Sequence, residues 1–123
     1  MTKKILIADD EPNIVISLEF LLKREGYEVV VAQDGVEALA QVRAERPDMA
    51  ILDVMMPHRN GFEVCQDLRQ DPEFKDLRIM MLTAKGRDTE VSKGMALGAD
   101  IYMTKPFSTK ELIAKVKALI ERE

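Results

Sequence analysis

Four short stretches of this 123-residue chain hold side chains that could do chemistry together: Asp9-Asp10-Glu11, Asp53, Thr83-Ala84 and Lys105-Pro106. Each closes a short apolar run. Carboxylates brought close together either raise one another's pKa or gather a cation. Mg²⁺ suits such a cluster, because it is a hard ion that prefers oxygen ligands, keeps several waters and is often completed by a phosphate. Lys105 adds a point positive charge that attracts an anion, and the Thr83 hydroxyl can donate a hydrogen bond. Acids, a cation site, a lysine and a hydroxyl together describe phosphoryl transfer onto an aspartate nucleophile. The chemistry requires that the four stretches meet in space, which depends on the elements that carry them.

Five strand-sized apolar runs recur, Ile5–Ala8, Val29–Ala32, Met49–Leu52, Ile79–Leu82 and Ile101–Met103. Between them lie helical spacings: Val15, Leu18 and Leu22; Val36, Leu39 and Ala40; Phe62, Cys65 and Leu68. Asp88 to Leu97 has only the thin stripe Val91 and Met95, and the last helix carries Leu112, Ile113, Val116, Leu119 and Ile120 on one face. Pro12 suits a first helical turn, Gly26 a C-terminal cap, and Ser108-Thr109-Lys110-Glu111 a capping box. Uniformly apolar strands are buried on both faces, and strand–helix alternation needs right-handed crossovers. The prediction is one α/β domain over residues 1–123: a doubly wound, five-stranded parallel sheet with helices on both faces. In such sheets ligands sit beyond the carboxyl ends of the strands, where all four stretches end.

The composition is globular, with 46% hydrophobic and 33% charged residues and no Trp. A net charge of -4 with interleaved basic and acidic residues argues against direct nucleic-acid binding, which needs clustered Lys and Arg. The lone Cys65 excludes an internal disulfide. The first apolar stretch is too short for a signal-peptide core or a membrane span, so a cytoplasmic location without membrane contact is expected. With the last helix closing the chain, a stand-alone regulator is the expectation.

The segments KILIADDEP, AILDVMMPHRNG, MMLTA and YMTKPF resemble the receiver domains of bacterial two-component response regulators, chemotaxis regulators among them, across essentially the whole chain. The resemblance implies the flavodoxin-like strand order 2-1-3-4-5. It implies Asp53 as phosphoacceptor, with Asp9, Asp10, Asp53 and the backbone carbonyl of Met55 holding Mg²⁺. Thr83 and Lys105 would hold the phosphoryl oxygens, Lys105-Pro106 would be a cis peptide, and Tyr102 would be the switch aromatic that follows Thr83. Pro57 and Gly61 would shape the loop after the acceptor. Implied partners are a sensor histidine kinase or histidine phosphotransfer protein and a downstream target protein or output domain, with a dimer formed on phosphorylation. The chain would assist its own phosphorylation and autodephosphorylation without being a dedicated enzyme. It departs from the family at His58 and Arg59, which bring polar and positive groups close to the site. In the winged-helix transcription-factor branch it departs at Ile101 and Val91, weakening the salt bridges of that branch's activated dimer.

Each residue also has a plainer reading. Asp9 and Asp10 could cap the helix at Pro12, Asp53 could be a turn residue, Thr83 an ordinary strand residue, Lys105 a snorkelling loop lysine and Tyr102 a half-buried aromatic. Cys65 and the eight methionines read as packing, and His58 as solvated surface. Among competing functions, an aspartate phosphatase of the haloacid dehalogenase type needs an acid two residues after the nucleophile, where Met55 stands. A pseudo-receiver would have lost part of the constellation. A flavodoxin needs a Ser/Thr/Gly-rich loop where Asp9-Asp10-Glu11 stands. No Walker-type glycine run is present, which argues against a nucleotide donor, and the resemblance implies a phosphohistidine on another protein in its place.

Overall fold

The computed structural model describes residues 2–84, 92–93 and 95–121. Strands β1 (Lys4–Ala8), β2 (Glu28–Ala32), β3 (Met49–Asp53), β4 (Arg78–Ala84) and β5 (Ile101–Lys105) alternate with helices α1 (Pro12–Arg24), α2 (Gly35–Glu45), α3 (Gly61–Gln70) and α4 (Thr109–Ile120). All strand pairings are parallel, in the order β2-β1-β3-β4-β5. The strands run one or two residues beyond most of the apolar runs, so Asp53, Thr83 and Lys105 belong to the ladder itself.

Side chains alternate across a strand, so each central strand feeds two cores. Ile5, Ile7, Met49, Ile51, Met80 and Leu82 pack with Leu18 and Leu22 of α1 and Leu112 and Val116 of α4. Leu6, Ala8, Ala50, Leu52, Ile79 and Met81 pack with Leu39 and Val42 of α2 and Val64, Cys65 and Leu68 of α3. The buried Cys65 is therefore a packing residue, its thiol 3.6 Å from the Leu97 carbonyl. Met49, Met56, Met80, Met81 and Met103 are core, whereas Met55 and Met95 are exposed.

Local signals set the helix ends. Pro12 opens α1, where its missing N–H has no intrahelical partner to lose. At the other end Gly26, at φ +95, donates to the Lys23 carbonyl while Tyr27 donates to Leu22, which is a Schellman cap. Asp34 caps α2 by accepting from the Glu37 N–H at 2.8 Å. The buried face of that helix is Gly35, Ala38, Leu39 and Val42, which corrects the expected stripe: Val36 and Ala40 are exposed. The reason is Gly35, where a Cβ would stand 1.9 Å from the Arg59 carbonyl oxygen, so backbone meets backbone there and Val36 is turned about 100° away. The full capping box belongs to α3, between Asn60 and Glu63. Ser108 forms one half of such a box, accepting from the Glu111 N–H at 3.3 Å.

Arg69 of α3 stitches three segments together. Its guanidinium donates to the carbonyls of Gly98 (2.8 Å), Lys75 (3.1 Å) and Leu77 (2.6 Å) and to the Asp100 carboxylate (2.9 Å), which also accepts from the Ile79 N–H (2.8 Å). The helix expected between Asp88 and Leu97 lies mostly outside the described residues. No helix among the described residues is long and apolar enough to cross a membrane.

Candidate functional site

The strand order makes β1 and β3 neighbours, and it reverses direction at that pair. Asp9 and Asp10 follow β1, Asp53 ends β3, and one carboxylate oxygen from each lies within 4.8 Å of the others. Asp9 and Asp53 are buried, while Asp10 is exposed. The other two stretches arrive by register: Asp53 pairs with Leu82, placing the buried Thr83 one step further along β4, and Ala84 pairs with Lys105. The Lys105 ammonium reaches back over the edge to Glu11 (2.8 Å), Asp9 (3.0 Å) and Asp53 (3.4 Å). The Lys105-Pro106 peptide bond is cis.

A glycine lets the backbone crowd behind Asp53. A Cβ on Gly61 would lie 2.5 Å from the Asp53 carbonyl oxygen, so α3 starts directly behind the acid. Its N–H donates to Val54 at 3.0 Å, closing the loop that holds Met55 and Pro57. Pro57 joins Asp9, Asp10, Asp34, Pro12 and Ile16 around an open cavity of about 390 Å³.

Charge is unbalanced in this cluster. Burial, with the adjacent Asp9 charge adding to it, lifts Asp53 to about 7, against the opposing pull of Lys105 and a backbone hydrogen bond from Met55. Burial pulls the Lys105 ammonium down, but its contacts with Glu11 and Asp9 and the charges of Asp53 and Asp9 outweigh that and raise it above the ordinary lysine range. The buried Oδ2 of Asp9 has an ion contact with Lys105 but no directed hydrogen bond. Hard oxygen donors carrying surplus negative charge and an unsatisfied lone pair fit a small divalent cation such as Mg²⁺.

Tyr102 is half-buried against the α2–α3 core and pairs in register with Met81. Thr83 lies two residues beyond Met81 and so shares that face of the sheet. Arg59 turns to α3, where Asp67 (2.6 Å) and Glu63 (3.7 Å) engage its guanidinium. His58 is exposed, at φ +67. Sequence reasoning counted Glu11 in the acidic stretch but gave it no partner, yet among the described residues it is the nearest anion to Lys105.

Comparison with known proteins agrees with this geometry. The profile of the family described as response regulator receiver domain matches residues 5–117. The chain is 50% identical over 122 residues to the alkaline phosphatase synthesis transcriptional regulatory protein PhoP of Bacillus subtilis, a match covering 99% of this chain and 50% of that protein. It therefore spans about half the length of that relative. A solved structure from Chloroflexus aurantiacus J-10-fl, assigned as a response regulator, superposes with a TM-score of 0.95 at 39% identity, covering 99% of this chain and 100% of the other. Chemotaxis response regulator CheY4 of Vibrio cholerae superposes with a TM-score of 0.91 at 34% identity, covering 97% and 99%. Strand order, converging acids and sequence match lead to one assignment: the chain belongs to the response regulator receiver domains of two-component signalling.

Proposed function

We propose that this domain accepts a phosphoryl group on Asp53, aided by Mg²⁺, and thereby changes the protein surface it offers. Phosphorylation-dependent switching is the general function of the family. The observation that carries the residue assignment is the meeting of Asp9, Asp10, Asp53 and Lys105 at one sheet edge. Asp9, Asp10, Asp53 and the Met55 carbonyl are the groups we assign to the cation. When bound, the cation neutralises the carboxylates and the oxygens of the transferring phosphoryl group.

An Asp53 oxygen forms the new bond to phosphorus as the phosphorus–nitrogen bond of a phosphohistidine on a sensor kinase or phosphotransfer protein breaks. The freed imidazole nitrogen takes up a proton. Lys105 and Thr83 meet the charge on the transferred oxygens, an electrostatic role and not a nucleophilic one. The same groups support autodephosphorylation, so the domain serves as a substrate that assists its own reactions. Thr83 and Tyr102 share a sheet face, which supports coupling from the phosphoryl group to the β5–α4 surface. A downstream target protein or output domain reads that surface.

Incubation with acetyl phosphate and Mg²⁺ should add one phosphoryl group, located at Asp53 by peptide mass spectrometry and absent from Asp53→Asn. Thr83→Ala should still accept the group, with smaller amide NMR shifts around Tyr102 and α4 on adding beryllofluoride. Full labelling of the Asp53→Asn protein would overturn the assignment.

A further inference from the structure

Glu11 stands at the N-cap of α1, a position where a short polar side chain normally satisfies a free helical N–H. It makes no such bond. Its own N–H donates to Asp9 Oδ1 at 2.9 Å, tying its backbone to the buried acid, and its carboxylate crosses 94 positions of sequence to Lys105. That contact, at 2.8 Å, is shorter than those of Lys105 with Asp9 and Asp53. The three partners differ in setting: the Glu11 side chain is 59% exposed, against 0% for Asp9 and 7% for Asp53. Lys105 is thus held from below by two buried acids and from the solvent side by one exposed one.

We propose that Glu11 is an exchangeable counter-ion for Lys105, a latch that holds the ammonium at the mouth of the site and is displaced by the incoming phosphoryl oxygens. Exposed ion pairs are weak, so the latch orients Lys105 without trapping it. Glu11 acts through Lys105 and is a positioning residue. The inference rests on the reading that Lys105 receives the phosphoryl group. Two consequences follow from competition for one ammonium. Removing Glu11 leaves one side of the Lys105 ammonium open to the anion, so anion binding and phosphorylation gain. The Mg²⁺ affinity does not gain, because the change removes negative charge near the cation.

Asp34 provides the control. It lines the cavity beside Asp9 and Asp10 but is not among the ion partners of Lys105, and Asp34→Asn removes one charge while keeping a good N-cap. The experiment compares the parent with Glu11→Gln, Glu11→Ala and Asp34→Asn. It measures the acetyl phosphate labelling rate with Mg²⁺, beryllofluoride affinity, and Mg²⁺ affinity alone by calorimetry. Both Glu11 variants should label and bind beryllofluoride about two- to fivefold better, the range an exposed ion pair allows, with Mg²⁺ affinity equal or lower. Asp34→Asn should stay close to the parent. Equal gains from Asp34→Asn would reduce the effect to general charge and overturn the latch, as would Glu11 variants that match a normally labelled parent. A parent that takes no label at Asp53 overturns the phosphoacceptor reading, and the latch with it.

Discussion

For single residues, the quantity that governs this site is the cost of ionising Asp53, which is buried first of all and lies beside the charge of Asp9. An acid lifted from 3.8 to about 7 binds its proton more tightly folded than unfolded. Below the unfolded pKa both states are protonated and the group costs nothing. As pH rises from about 4 to about 7 the unfolded chain ionises first, so stability falls, and above 7 the full penalty remains. In chelator, Asp53→Asn should therefore stabilise the protein by roughly 2–4 kcal/mol at pH 8 and by little at pH 4.5, read by thermal unfolding. An equal gain at both pH values would show that the benefit is not electrostatic. The acids were legible in sequence because Asp9, Asp10 and Asp53 each follow an apolar run, and strand ends in a parallel sheet share an edge. The partnership of Glu11 with Lys105 was not, since it depends on one side chain's direction across 94 positions.

At the scale of elements, the contrast is between helix faces set by periodicity and joints set by single contacts. The face of α2 was misread because Gly35 counts as nothing in an apolar pattern, yet its bare Cα against Arg59 fixes how the helix is rotated. Arg69 was equally invisible: its acceptors at Gly98 and Asp100 lie 29 and 31 positions away, and most are backbone carbonyls that carry no residue signature. Truncating it strands those carbonyls and removes the Arg69 guanidinium from the Asp100 carboxylate. Arg69→Ala should thus cost about 2–4 kcal/mol in urea denaturation. Arg69→Lys should recover only part of this, since one ammonium cannot span acceptors that a planar fork meets in several directions. A loss below about 0.5 kcal/mol in the alanine variant would mean that water replaces the guanidinium.

For the whole molecule, the doubly wound architecture was readable from strand–helix alternation, and the order 2-1-3-4-5 that the family resemblance implied is the one observed. The split into two cores follows from the same alternation, with one sheet serving both. That sheet is not uniform in burial. β3 is buried along its whole length and paired on both sides, whereas β5 is an edge strand, partly exposed and paired on one side only. Amide hydrogen–deuterium exchange should order the strands accordingly: β3 protected up to the free energy of global unfolding, and β5 exchanging through smaller openings at least tenfold faster. Equal protection of the two would deny the distinction. Asp53 lies on the first of these strands, Tyr102 and Lys105 on the second. A phosphoryl mark would then be received where local opening is rarest and expressed where it is cheapest, leaving the rest of the sheet undisturbed.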